Sequence, residues 1–170
     1  MADYIDAFKQ GLAAAEAAER AKQEINEIFR ELDIQMRAGS EGKISIDRKE
    51  YYVRDQGMAP AFAALATLPY VLGGRKRETY WAVVAENPLI PDSPTKELAT
   101  WTQGRSGYPC KIAFANVDRS CADRESLEIA LDVLLRDPTV GEKLSSLMRL
   151  EPPDSKKEEQ SQQSDSAGSE

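Results

Sequence analysis

A run of three basic residues beside two glycines is the place in this sequence where side chains suited to anion binding cluster most densely. Residues 73–77 have the sequence GGRKR, and the basic residues are Arg75, Lys76 and Arg77. A phosphate-binding loop needs the spacing G-x-x-x-x-G-K-[ST] between a strand and a helix, whereas here the strand-like segment ETYWAVVAE follows. Residues 73–77 are therefore predicted to form a tight turn at Gly73-Gly74, followed by three basic residues exposed to solvent. The alternative is a patch at which these three residues and Arg105 contact an anionic partner.

The nucleophiles and potential metal ligands form no recognisable catalytic or metal-binding motif. The sequence contains no histidine, which excludes Ser-His-Asp and Cys-His catalysis and histidine-ligated metals. Cys110 and Cys121 form no C-x-x-C pair, so a zinc site is not indicated. A helix N-terminus at Cys121 would lower the pKa of its thiol, but a free cysteine is usually a small buried residue. The sequence therefore predicts no catalytic residue, no metal and no cofactor.

Aromatic side chains fall in the predicted strands and have two interpretations. They could form an open platform that stacks single-stranded nucleic acid, or they could be core residues and cross-strand pairs of the sheet. The chain has a net charge of −7, and residues 151–170 carry six acids and two lysines, so the other 150 residues sum to only −3. A fold without net positive charge disfavours the nucleic-acid platform. The aromatic residues are Tyr51, Tyr52, Tyr80, Trp81, Trp101 and Tyr108.

Residues 3–38 are predicted to form one long helix. The segment has no proline and is rich in Ala, Glu, Lys, Gln and Arg, which favour helices. About 36 helical residues extend roughly 54 Å, which is longer than a compact domain of this size can cover. Apolar residues recur every three or four positions in two series. The first is Ile5, Phe8, Leu12 and Ala15, and the second is Ala18, Ala21, Ile25, Ile28 and Leu32.

This apolar stripe has two interpretations. In one, the helix lies across the chain's own sheet, as amphipathic surface helices generally do. In the other, it pairs with a partner chain, and a second copy is the first candidate. The helix length and the alanine-rich centre favour dimerisation. The expected interface residues are Ala18, Ala21, Ile25, Ile28 and Leu32.

After the long helix the apolar period changes to two, which predicts strands. Residues 47–50 are either a turn between two short strands or an outward-facing continuation of one strand. Residues 58–72 are either a short helix or a buried extended segment. The predicted strands cover residues 43–46, 51–54, 78–86, 96–102 and 108–116.

Two helices are predicted to follow the sheet. Ser120 and Asp123 have the spacing of a capping box for the first, and Asp137-Pro138 is a typical start for the second. Residues 151–170 contain no large apolar side chain, and this composition predicts disorder.

The predicted architecture is α+β, with a long N-terminal helix, an antiparallel sheet of about four strands, two C-terminal helices and a disordered acidic tail. Residues 1–150 are expected to form one domain, made of the helix at 3–38, a sheet region at 43–117 and a helical pair at 120–150. No apolar run is long enough for a membrane helix, and the acidic start "MADYIDAFKQ" is not typical of a signal peptide. Two cysteines without any mark of secretion favour the cytoplasm.

The favoured function is a non-enzymatic, homodimeric protein-binding module that acts as an adaptor, a chaperone-like factor or an inhibitor of another protein. The first alternative is a nucleic-acid-associated protein that uses the sheet aromatics and the basic turn at residues 73–77. The second alternative is an enzyme that works with cysteine or carboxylates. The expected partner is another protein, and no membrane partner is expected.

Overall fold

A computed structural model describes residues 4–52 and 79–151 of the chain. Over these residues a long helix is followed by five strands and two helices, which confirms the predicted α+β class. The sheet has five strands where the sequence predicted about four. The predictions for residues 58–72, for the turn at 73–77 and for residues 152–170 lie outside the described residues. The elements are α1 (Tyr4–Gly39), β1 (Ser45–Tyr52), β2 (Thr79–Glu86), β3 (Lys96–Gly104), β4 (Gly107–Phe114), β5 (Val117–Cys121), α2 (Arg124–Leu135) and α3 (Pro138–Met148).

The five strands form an antiparallel meander in the order β1-β2-β3-β4-β5. Residues 47–50 continue β1 without a turn, so the second of the two interpretations of this segment is the correct one. β5, with the sequence VDRSC, was not predicted. This strand lies at the edge of the sheet, and its three central residues are exposed. Its sequence therefore shows little of the apolar alternation by which half-buried strands are recognised.

The two faces of the sheet differ in character because successive side chains of a strand point to opposite faces. One face is apolar and carries Val83, Trp101 and Ile112, which belong to the hydrophobic core. The other face carries polar contacts, including the ion pair between Lys49 and Glu86. The core therefore lies between the helices and one face of the sheet.

The second half of α1 packs on this apolar face. Ile25, Ile28 and Phe29 are its fully buried residues, and Phe29 meets Trp101 edge to face with the ring centroids 5.1 Å apart. Spacings of three and four place these side chains on one side of the helix. The first interpretation of the apolar stripe, a helix laid across its own sheet, is therefore correct for this half of α1.

The start of β4 approaches α1 so closely that only glycine fits there. Gly107 has φ +87°, a left-handed conformation that side chains disfavour. A β-carbon added at Gly107 would lie 2.7 Å from Cβ of Ala21 and 3.2 Å from the Ala21 backbone carbon. Ala21 is small because it packs against the chain's own sheet at this point.

Asp33 joins the C-terminal part of α1 to β1. Its Oδ1 accepts hydrogen bonds from the Ser45 hydroxyl at 2.8 Å and the Ile46 backbone N–H at 2.9 Å. Its Oδ2 accepts from Nε of Arg37 at 2.8 Å, an ion pair between residues four positions apart on the same helix. Burial disfavours the charged carboxylate, but these hydrogen bonds outweigh it and lower the pKa of Asp33.

The caps of the two C-terminal helices decide where each begins. Asp123, and not Ser120, is the N-cap of α2, and its side chain accepts from the Ser126 backbone N–H. The predicted capping box was wrong because Ser120 still belongs to β5. The prediction for α3 is confirmed, since Asp137 is the N-cap and Pro138 the first helical residue.

Candidate functional site

The interface residues predicted from the sequence divide between the core and its margin. Ile25 is 0% exposed and Ile28 is 4% exposed within a single chain. Leu32 packs against the same core, and Ala18 and Ala21 are half-buried. Burial against the chain's own sheet leaves Ile25 and Ile28 no surface to offer a second chain. Ile25 and Ile28 therefore belong to the domain core, and their prediction as dimer-interface residues is corrected.

The first half of α1 is different, because every residue from 4 to 17 is exposed. Ile5 is 68% exposed, Phe8 65% and Leu12 51%. Together with Ala15 these residues form the N-terminal stripe, the first of the two apolar series in the sequence. Fourteen exposed helical residues span about 21 Å. This part of the helix therefore projects from the domain, as its length predicted.

The N-terminal stripe faces another direction from the buried half of the helix. At about 100° per residue, its centre lies roughly 130° around the helix axis from the row that holds Ile25 and Ile28. The N-terminal stripe therefore points away from the side of α1 that packs on the sheet, and a longer sheet on that side would not cover it. An exposed apolar row on a projecting helix is typical of a protein-binding surface.

A second notable feature is a groove between α1 and the sheet, centred on Arg48 of β1. One terminal nitrogen of Arg48 donates to the Asn26 side-chain oxygen at 2.6 Å and the other to the Gln103 side-chain oxygen at 3.3 Å. Its guanidinium carbon lies 4.3 Å from the Phe29 ring centroid and 5.5 Å from that of Trp101. This surface, called the Arg48 groove below, is lined by Lys22, Asn26, Arg48, Trp81, Trp101 and Gln103.

Arg48 was not predicted as a functional residue, because residues 47–50 could be either a turn or part of a strand. A signal was present, however. Ile44 and Ile46 are buried with the period of a strand, and continuing that period places Arg48 on the same core-facing side. A basic residue at such a position is the kind of exception that points to a polar site.

The aromatic residues do not form the single platform that nucleic-acid stacking requires. Trp101 is 4% exposed in the core, whereas Trp81, its register partner on β2, is 46% exposed at the rim of the Arg48 groove. Tyr51 and Tyr80 stack on the other face, with centroids 5.8 Å apart. The Tyr108 hydroxyl donates to Glu24 of α1 at 3.0 Å.

The basic residues expected to contact an anionic partner are only partly described. Arg105 is exposed in the turn between β3 and β4. Arg75, Lys76 and Arg77 lie outside the described residues. The shared anionic contact of these four residues therefore stays a prediction.

The two cysteines lie directly opposite each other on β4 and β5 and are free and buried. Burial, with a contribution from the neighbouring Cys121, raises the pKa of the Cys110 thiol to about 12, and burial raises that of Cys121 as well. Both are protonated at neutral pH, so neither is an activated nucleophile. Within residues 4–52 and 79–151 no group of three Cys, Asp or Glu side chains is placed to hold a metal ion.

Comparisons of the chain with protein-family models, with curated proteins and with solved structures find no match. Among the described helices, none is long and apolar enough to cross a membrane. The candidate surfaces therefore rest on their geometry alone.

Proposed function

We propose that this protein is a non-enzymatic, cytoplasmic protein-binding module that self-associates through the N-terminal stripe of α1. The observation that carries the proposal is the exposure of Ile5, Phe8 and Leu12 on a helical segment that projects from the domain. Cys110 and Cys121 are free and buried, and unpaired cysteines are typical of a reducing compartment, which supports the cytoplasmic part of the proposal.

Charge permits a second copy to be the occupant of the stripe. Between residues 4 and 20 the acids Asp6, Glu16 and Glu19 stand against Lys9 and Arg20, so this segment has a net charge of only −1. Two copies of the segment repel each other weakly, although the whole chain carries −7. A helix pair also buries the same residues in both chains, as a two-fold interface requires.

The buried area predicts weak association. Full burial of a large apolar side chain contributes about 1.5–3 kcal/mol, so Ile5, Phe8 and Leu12 from two chains supply roughly 9–18 kcal/mol. Loss of translational and rotational freedom costs roughly 4–15 kcal/mol. With the midpoints of these ranges the difference is about 4 kcal/mol, which falls short of the roughly 12 kcal/mol of a nanomolar complex. We therefore expect a dimer with micromolar or weaker affinity.

The test compares two variants that add the same charge to different faces of the projecting helix. In one, Phe8→Glu and Leu12→Glu place carboxylates in the stripe. In the other, Ala13→Glu and Ala17→Glu place them on a different, exposed face. Light scattering over a concentration series should show a mass above 18.8 kDa for the wild type and the control, and a monomer for the stripe variant.

Two results would count against the proposal. The wild type could remain at 18.8 kDa at roughly millimolar concentration, where an association worth about 4 kcal/mol becomes visible. Alternatively, both double variants could dissociate equally, which would show that added charge rather than loss of the stripe is responsible. Circular dichroism of each variant should match the wild type, since residues 8 to 17 contribute nothing to the core.

A further inference from the structure

We propose that the Arg48 groove binds an aromatic carboxylate, either a free small molecule or the C-terminal residue of a peptide. Arg48 would hold the carboxylate, and the exposed indole of Trp81 would pack against the aromatic ring. The inference is independent of the N-terminal stripe and of self-association.

Arg48 is held in place without being neutralised. Its hydrogen-bond acceptors are the side-chain amide oxygens of Asn26 and Gln103, which are uncharged. Arg48 takes part in none of the ion pairs found in the described part of the chain, and its Nε is buried without a hydrogen-bond partner. Partial burial lowers the pKa of its guanidinium, but an arginine stays charged at neutral pH. A desolvated positive charge thus remains available to a ligand.

The aromatic contacts fix the plane of the guanidinium. Its position over Phe29 and near Trp101 matches a cation–π arrangement. Two of its nitrogens already donate to amides, yet each terminal nitrogen carries a second N–H. A planar guanidinium of fixed orientation suits a carboxylate better than a flexible ammonium does.

The walls of the groove favour a ligand with a ring beside its charge. The cavity has a volume of about 330 Å³, within the usual range for small-molecule sites. Trp81 is almost half exposed at the rim. Because burial of a large aromatic side chain contributes strongly to binding, a ligand ring that covers this indole would be stabilised. Lys22 adds a second cation at the rim, where it pairs with Glu19 at 2.7 Å.

A polynucleotide is the less suitable ligand. Binding a phosphate backbone needs several cations along a track, whereas the described residues contribute only Arg48 and Lys22 to this groove. Glu50 lies in register opposite Trp81, and its charge would repel a chain of phosphates that extended beyond the groove. One carboxylate beside one ring matches the charges that are present.

The experiment uses intrinsic fluorescence, because both tryptophans of the chain line this groove. The first probe is N-acetylphenylalanine, and its neutral amide is the control. The second probe is the peptide Gly-Gly-Gly-Phe with a free C-terminus, compared with its C-terminal amide. We expect a saturable change for the free acids, with at least tenfold weaker binding of the amides and weaker binding at high salt. Tighter binding of the peptide than of the single residue would identify a peptide C-terminus as the source.

Three variants assign the effect to the groove. Arg48→Met should abolish the response, whereas Arg136→Met, which removes an exposed arginine at the end of α2, should leave it unchanged. Trp81→Ser should weaken binding several-fold with Trp101 as the remaining reporter. It also serves as the decisive variant if Arg48→Met fails to fold, because Trp81 is partly exposed. A response that is absent at roughly 10 mM free acid, equal for acid and amide, or unchanged in Trp81→Ser would overturn the proposal.

Discussion

Replacing Gly107 with alanine should destabilise the protein by about 2–4 kcal/mol. The left-handed φ of +87° costs an alanine about 1 kcal/mol, and forcing a methyl group into a packed contact costs roughly 1–3 kcal/mol more. The new methyl group would lie 2.7 Å from Cβ of Ala21 and close to the helix backbone. Because the nearest atoms include backbone, rotation of a side chain cannot relieve the contact.

The assay is urea unfolding followed by circular dichroism, with Gly104→Ala as the matched control. Gly104 ends β3 at the same hairpin, and a β-carbon added there would meet nothing closer than 3.8 Å. The double variant Ala21→Gly with Gly107→Ala should recover part of the lost stability, since it removes the closest atom of the clash. A change below about 0.5 kcal/mol for Gly107→Ala, the size of an ordinary surface substitution, would refute the packing of Ala21 against the chain's own sheet.

Two predictions concern ionisable groups. Because hydrogen bonds lower the pKa of Asp33 below its usual 3.8, its contribution to stability is present above about pH 4 and is lost as the pH falls through the folded pKa. Asp33→Asn should therefore destabilise by about 1–3 kcal/mol at pH 7 and by less at pH 2, measured by urea unfolding; an equal loss at both pH values would contradict this. Because burial raises the pKa of Cys110 from 9.0 to about 12, the unfolded chain loses this proton first. Stability should fall by up to about 1.4 kcal/mol per pH unit between these values. The Cys110→Ala variant should lose less stability over that window, and an identical slope would contradict the assignment.

Much of the fold could be predicted from the sequence because local patterns specify it. The composition of α1 identified the helix almost to its ends, and the Asp137-Pro138 pair identified the start of α3. In contrast, β5 could not be found from its letters, because an edge strand is held by pairing with β4 rather than by burial of its own side chains. The same limit applied to Ser120, whose spacing fits a cap although the backbone there is still a strand.

The candidate surfaces could be predicted only in part, since periodicity shows which residues are apolar but not what covers them. Ile5 and Ile25 belong to similar series of apolar residues, yet the first is exposed and the second is fully buried. The difference depends on where the sheet ends relative to α1, which is a property of the tertiary structure. The groove at Arg48 likewise requires α1, β1 and β3 to meet.

Hydrogen exchange at two protein concentrations tests the central proposal most directly. We expect protection of residues 4–17 to rise with concentration, because association covers a helical segment that otherwise projects into solvent. Protection of residues 25–29 should stay constant, because Ile25, Ile28 and Phe29 pack this turn of the helix into the core of one chain. Protection of residues 4–17 that does not depend on concentration, or a concentration-dependent change confined to other residues, would contradict self-association through the N-terminal stripe.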